Sequence, residues 1–70
     1  MTRNEMIEFL KENPHIHITH PLFADDEYIY LDTDGIVRDE NGYVFENGDN
    51  VDGIRMRTGG MWETGWSIKE

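Results

Sequence analysis

The chain has 70 residues, a formal net charge of −9 and no cysteine. This length allows one small domain, residues 1–70, with a thin core that favours a homodimer. The lack of cysteine excludes disulfides and thiolate metal sites. We expect a cytoplasmic protein, because no apolar run is long enough to span a membrane and the N-terminus lacks the apolar stretch of a signal peptide.

Residues 3–12 are predicted to form a helix. Thr2 and Glu5 have the spacing of a capping box, and Asn13-Pro14 ends the helix because the residue before proline avoids the α region. One stripe of the helix is apolar and consists of Met6, Ile7, Phe9 and Leu10.

Period-two alternation predicts strands in most of the remaining chain. Turn signals at residues 32–35 and at Asn41-Gly42 predict a three-stranded antiparallel meander, and residues 58–60 are predicted to form a turn before a closing strand. The fold class is therefore α+β, with one N-terminal helix packed on a small, mainly antiparallel sheet of hairpins. The predicted strands lie within residues 15–20, 27–32, 36–39, 43–46, 53–57 and 61–68.

The three histidines have the spacing H-x-H-x-x-H. On a strand, His15 and His17 would lie about 6.6 Å apart on one face, and His20 could supply a third ligand. No residue that would orient these ligands can be identified in the sequence. We therefore expect surface histidines and no metal.

The two aspartate- and glycine-rich turns resemble calcium loops in composition only. An EF-hand needs an oxygen ligand at position 5 and glycine at position 6. Position 5 is Ile36 when the loop starts at Asp32, and it is Tyr43 when the loop starts at Asp39. Both segments are interpreted as ordinary hairpin turns.

No motif in the chain indicates catalysis. A cysteine nucleophile, a G-x-S-x-G elbow, a phosphate-binding glycine loop and an H-E-x-x-H motif are all absent, so we expect neither an enzyme nor a cofactor. A nucleic-acid platform built from Trp62, Trp66, Arg55 and Arg57 is disfavoured by the net charge, which repels a polyanion. We expect the tryptophans to close the core or a dimer interface, and the arginines to pair with carboxylates.

The acidity is concentrated in residues 25–52, which contain ten carboxylates and a single cation, Arg38. Strand-forming residues alternate with these acids, which is not typical of a disordered tail. Carboxylates held on rigid strands could imitate the phosphates of DNA and pair with arginines of a basic protein. Asp32 and Asp34 together with Asp39 and Glu40 are expected to form the densest patch. The candidate contacts are Asp25, Asp26, Glu27, Asp32, Asp34, Asp39, Glu40, Glu46, Asp49 and Asp52.

The chain also resembles small early proteins of phages that infect Gram-positive bacteria. The resemblance is carried by I-T-H-x-L-F, D-E-Y-I-Y, D-x-D-G and D-E-N-G-Y-V-F-E, and by G-I-R-M-R-T-G-G-M-W-E-T-G-W-S-I at residues 53–68. In size and acidity the chain is similar to host-takeover proteins, among them an acidic DNA mimic that inhibits the bacterial histone-like protein HU. The resemblance implies a DNA-mimic inhibitor of HU or of a similar basic host protein. The alternative is a modulator of a host enzyme such as RNA polymerase, bound through the aromatic C-terminal segment.

Overall fold

A computed structural model of the protein describes residues 1–56 and 60–70. It contains an N-terminal α-helix, α1, packed on a four-stranded antiparallel sheet, which confirms the predicted α+β class. The strands are short because turns and two 3-10 helices occupy much of the remaining chain. In chain order the elements are α1 (Arg3–Glu12), β1 (Ile18–Thr19), β2 (Ile29–Leu31), β3 (Val37–Asp39), a 3-10 helix (Val51–Met56), a second 3-10 helix (Gly60–Trp62) and β4 (Ser67–Ile68).

Helix α1 begins and ends where the sequence predicts. The Thr2 hydroxyl accepts from the Glu5 N–H at 3.1 Å, and the Glu5 carboxylate accepts from the Thr2 N–H at 2.8 Å, which completes the capping box. The Asn13 N–H donates to the Phe9 carbonyl at the other end. The helix buries the side chains of Met6, Ile7 and Leu10 against the sheet.

The sheet has the strand order β3-β2-β1-β4. Ile18 lies opposite Ile29, and Leu31 lies opposite Val37, so apolar side chains of neighbouring strands share the face that α1 covers. The predicted strand at residues 43–46 is reduced to a single bridge between Arg38 and Val44. The predicted strand at residues 15–20 is shortened to β1, because His15 adopts a positive φ of 73° in the turn that follows α1.

The strand predicted at residues 53–57 is wrong, because Val51–Met56 forms a 3-10 helix. The side-chain oxygen of Asn50 accepts from the Asp52 N–H at 3.0 Å, and its carbonyl accepts from the Gly53 N–H at 2.8 Å, so local bonds start the helix. Ile54 is buried in the core beside α1. Residue 57 and the predicted turn at 58–59 lie outside the described residues.

The predicted closing strand at residues 61–68 is divided into the second 3-10 helix and β4. Gly65 lies between them with a φ of 95°, a left-handed conformation that glycine adopts without steric cost. Trp66 follows it and is 3% exposed; its N–H donates to the Met1 carbonyl at 3.2 Å. The C-terminal segment therefore closes the core beside the start of α1.

The core combines one face of the sheet with α1, the first 3-10 helix and Trp66. The buried apolar side chains are those of Met6, Ile7, Leu10, Ile18, Ile29, Leu31, Val37, Ile54 and Trp66.

Within residues 1–56 and 60–70, the helices are too short or too polar to span a membrane.

Candidate partner-binding surface

The ten candidate carboxylates lie mainly in turns and loops, which corrects the expectation that strands would hold them. Asp39, the last residue of β3, is the one member of the set within a strand, and Asp52 lies in the first 3-10 helix. The reason is that aspartate side chains hydrogen-bond nearby backbone N–H groups, which favours turns over strands.

The Asp32 carboxylate forms its hydrogen bonds within the hairpin of β2 and β3. One carboxylate oxygen accepts from the N–H groups of Asp34 and Ile36, both at 2.9 Å, and the other pairs with Nε of Arg38. The Arg38 guanidinium, followed by the Ile36 N–H, holds the pKa of Asp32 below its ordinary value. The Asp32 side chain is only 14% exposed. This carboxylate therefore stabilises the hairpin and offers little to a partner.

Asp39 performs a similar role in the next turn. Its Oδ1 accepts from the N–H groups of Asn41 at 2.9 Å and Tyr43 at 3.0 Å. The Arg38 Nη1 donates to the Gly42 carbonyl at 2.9 Å in the same turn, so the one cation of the acidic segment joins two turns. Gly42 has a φ of 82°, but Asn41 has no positive φ, so the turn differs from the Asn-Gly turn that was predicted, in which both residues have a positive φ.

Two further candidates are partly engaged within the chain. The Glu27 carboxylate accepts from the Ala24 N–H at 3.0 Å and closes the connector between β1 and β2. Asp52 pairs with Lys11 of α1 at 2.7 Å, which joins the first 3-10 helix to α1.

Other candidates have carboxylates for which the described part of the chain supplies no partner. Asp25, Asp26, Asp34 and Asp49 are exposed, and Glu40 is partly exposed. Lys69 lies near Asp25, but its Nζ donates to the Asp25 backbone carbonyl and not to the carboxylate. These five side chains are therefore the members of the predicted set that can bind a partner without breaking hydrogen bonds or ion pairs of their carboxylates within the fold.

The sheet brings two distant acidic segments to one end. Residues 25–27 precede β2, and Glu40 follows Asp39 at the end of β3. Because Ile29 lies opposite Asp39, both segments lie at the same end of the sheet. We call this group the acidic end: Asp25, Asp26, Glu27, Asp39 and Glu40.

The predicted patch that joined Asp32 and Asp34 to Asp39 and Glu40 is not a single cluster. The turn with Asp32 and Asp34 lies at the opposite end of β2 and β3, three residues or roughly 10 Å away. Arg38 lies between the two turns: its guanidinium pairs with Asp32 in the first turn and donates to the Gly42 carbonyl in the second.

Sequence reasoning also missed a second acidic surface, on α1. A shallow open groove of about 400 Å³ is lined by apolar side chains of Met1 and Phe9 and by three glutamates, Glu5, Glu8 and Glu12. The charges of residues 1–24 nearly cancel in a linear sum, but Arg3 does not line the groove and pairs with Glu63 at 2.8 Å. A helical projection that separated Arg3 from the glutamates would have revealed this surface.

A cluster of rings on the outer face of the sheet was also missed. His17 stacks on Tyr28 with a centroid distance of 3.8 Å and an interplanar angle of 11°, and Tyr30 lies 5.8 Å from His17. The signal was present in the sequence, because these residues alternate with the buried Ile18, Ile29 and Leu31. We call this group the aromatic cluster: His17, Tyr28 and Tyr30.

The two tryptophans close the core, as expected. Trp66 is buried, and its indole N–H donates to the Trp62 carbonyl at 2.8 Å. Trp62 is partly buried and packs against the core and against the ring of His20. The side chains of Arg55 and Arg57, predicted to pair with carboxylates, lie outside the described part of the protein.

The histidines are separated by the fold. His15 lies in the turn after α1 and His17 stacks on Tyr28, whereas His20 is 5% exposed with both ring nitrogens engaged: Nε2 with the Thr64 carbonyl at 2.8 Å, and Nδ1 with the Leu22 N–H at 3.1 Å. Within residues 1–56 and 60–70, no group of three or more histidine or carboxylate side chains is placed to hold a metal ion.

Comparison with known proteins adds no relative. No protein-family model matches the sequence, and no curated protein or solved structure is significantly similar to it.

Proposed function

We propose that this protein is a non-enzymatic acidic DNA mimic, made by a phage, that binds a basic DNA-binding protein in the cytoplasm of the infected cell and displaces DNA from it. The histone-like protein HU is the first target to test. The observation that carries the proposal is the acidic end, where two acidic segments lie at the same end of the sheet. The carboxylates of Asp25, Asp26 and Glu40 form no salt bridge among the described residues, and the nearby Lys69 donates to the Asp25 backbone carbonyl instead.

Three of the cations that the structure describes form ion pairs with carboxylates other than those of Asp25, Asp26 and Glu40. Arg3 pairs with Glu63, Lys11 with Asp52 and Arg38 with Asp32. The excess negative charge therefore remains on the surface, where the carboxylates repel one another. A basic partner would relieve this repulsion, because arginines pair with carboxylates through two parallel hydrogen bonds. Complementary charge would also make association fast and sensitive to salt.

The direct test is competition with DNA. Purified HU is bound to a fluorescent DNA duplex, and increasing amounts of the protein are added at low and at physiological salt. We expect the duplex to be released at low salt, and release to weaken as salt rises because exposed charges are screened.

Two double variants with the same net charge then show whether competition depends on the acidic end itself or only on the total negative charge of the protein. Asp25→Lys with Asp26→Lys changes the acidic end, whereas Asp34→Lys with Asp49→Lys changes exposed carboxylates outside it. We expect the first pair to weaken competition roughly tenfold more than the second, as removal of interface hot spots does. Equal losses in both variants would show that a diffuse field acts, and no competition by the wild-type protein would refute HU as the target.

Reversal of Asp32 is unsuitable for this test. Its carboxylate holds the β2–β3 turn through three hydrogen bonds, so Asp32→Lys would alter the fold along with the charge.

The enzyme-modulator alternative has less support. Trp66 is buried and Trp62 packs against the core, so the rings that would have bound the enzyme are largely used within the fold. Met61, which is 68% exposed, is the large apolar side chain that this segment presents outward before β4.

A homodimer remains part of the proposal. Tyr43 and Val44 are 72% and 49% exposed at the β3 edge of the sheet, where pairing in the described chain ends with the single Arg38–Val44 bridge. Exposed apolar side chains beside a sheet edge favour pairing with a second copy.

A further inference from the structure

The outer face of the sheet carries rings that are held in place before any partner arrives. His17, Tyr28 and Tyr30 project from the face opposite α1, because they alternate with the buried Ile18, Ile29 and Leu31. His17 and Tyr28 are stacked nearly parallel, and Tyr28 and Tyr30 lie 6.2 Å apart. A ring fixed in this way loses little conformational entropy when a partner binds.

This aromatic cluster is accessible. His17 is exposed and both tyrosines are partly exposed. The elements of the described chain that pack on the sheet do so on its other face, through the core formed with α1. Arg38 lies opposite Tyr30 on the outer face, but Asp32 and the Gly42 carbonyl bind its guanidinium.

Two carboxylates of the acidic end lie near these rings along the chain or at the same end of the sheet. Asp26 precedes Tyr28 by two residues, and Glu40 follows Asp39, which lies opposite Ile29 in the sheet. The described residues supply no partner to either carboxylate. The cluster therefore combines the face of an immobilised ring with negative charge in the neighbouring chain segments.

We infer that the aromatic cluster, together with Asp26 and Glu40, is the anchor at which an arginine side chain of the basic partner docks. This inference rests on the proposed function and specifies its chemistry. A guanidinium is planar, so it can stack on a tyrosine ring while its N–H groups donate to a carboxylate in the plane. A lysine ammonium is a compact charge that lacks this flat geometry. The anchor therefore prefers arginine to lysine, whereas a purely electrostatic surface would bind both alike.

The test uses two synthetic peptides of equal charge, deca-arginine and deca-lysine, titrated into the full-length protein and followed by calorimetry. We expect deca-arginine to bind about three- to fivefold more tightly, the size of an exposed cation–π contact. Tyr28→Ala should remove this preference by weakening deca-arginine alone, whereas Tyr28→Phe should preserve it. Asp26→Asn with Glu40→Gln should weaken both peptides. Equal affinities in the wild type, or a preference unchanged in Tyr28→Ala, would overturn the inference.

A second measurement keeps the inference falsifiable should Tyr28→Ala unfold. In NMR spectra of the wild-type protein, deca-arginine should shift the ring resonances of His17 and Tyr28 more than deca-lysine does. Shifts confined to the loops would overturn the anchor. Failure of the proposed function has a different signature: the peptide preference would be present while HU kept its DNA. Failure of the anchor alone would leave DNA competition intact without a preference for arginine.

Discussion

His20 joins the connector between β1 and β2 to the C-terminal segment. Its ring receives the Leu22 N–H at Nδ1, so the proton lies on Nε2, which donates to the Thr64 carbonyl. His20→Phe keeps a ring beside Trp62 and Trp66 but removes both bonds. At about 1 kcal/mol for each bond, we expect a loss of roughly 2 kcal/mol in the free energy of unfolding. For a domain of this size, such a loss lowers the melting temperature by roughly 8–16 °C.

Urea denaturation followed by tryptophan fluorescence measures this loss of stability. Variants that keep one of the two hydrogen bonds then show how much each bond contributes. The amide oxygen of Asn in His20→Asn can replace the Nδ1 acceptor, and the amide nitrogen of Gln in His20→Gln can replace the Nε2 donor. Each variant keeps one bond but loses the ring contacts with Trp62 and Trp66, so each should lose at least the roughly 1 kcal/mol of the missing bond. His15→Asn is the matched control, because asparagine tolerates the positive φ at that exposed position. A His20→Phe protein as stable as the wild type would refute the reasoning.

Three further predictions follow from the turns and the sheet edge. Asp32→Asn should destabilise the protein at pH 7 in urea denaturation. The folded-state pKa of Asp32 lies below its ordinary value of 3.8, so the difference in stability between Asp32→Asn and wild type should disappear as the pH falls through that lower value. Asp34→Asn is the control and should show no such difference in stability. Gly48→Ala should cost about 1–3 kcal/mol of stability in the same assay, because a Cβ there would lie 2.6 Å from the Val37 carbonyl oxygen, whereas Gly60→Ala, with open space around it, should be neutral. Light scattering should give twice the monomer mass of 8.2 kDa, and Val44→Lys should restore the monomer; a monomeric wild type would contradict the homodimer.

The parts of the fold governed by local rules could be predicted from the sequence. Helix α1 follows from its capping box, its apolar stripe and Asn13-Pro14, and both of its ends were predicted correctly. A turn at Asn41-Gly42 follows from the turn-forming character of these residues, although only Gly42 of the two has a positive φ, 82°. Each of these signals lies within a few residues of the structure that it specifies.

The errors arose where tertiary packing overrides local alternation. Ile54 and Met56 have the spacing of a strand, yet Asn50 caps a 3-10 helix that buries Ile54 beside α1. Residues 43–46 carry strand-forming side chains, but Gly48 bonds to β3 in place of a full third strand: the Val37 N–H donates to the Gly48 carbonyl at 2.7 Å. The Asn50 cap and the Gly48 bond lie within a few residues of the segments that they redirect, but α1, against which Ile54 packs, is distant in sequence, so a period-two pattern could not reveal that contact.

The candidate site shows a related limit of charge counting. Ten acids in one segment indicate a negative surface, but the count treats every carboxylate as equivalent. In the fold, Asp32 and Asp39 bond to backbone N–H groups of their own turns, whereas Asp25 and Asp26 do not.

This division has a consequence for how the protein would recognise a partner. The bonded carboxylates rigidify the hairpin that holds β2 and β3 in register, and that register places Asp39 and Glu40 at the end of the sheet where residues 25–27 lead into β2. Substitution of a bonded acid should therefore reduce binding and stability together, whereas substitution of an unpaired acid should reduce binding alone. Stability and DNA competition measured on the same set of single variants, Asp25→Asn, Asp26→Asn, Asp32→Asn and Asp39→Asn, would separate these two groups. If all four behaved alike, the acidity would act only as a general field, and the arrangement at the acidic end would have no specific role.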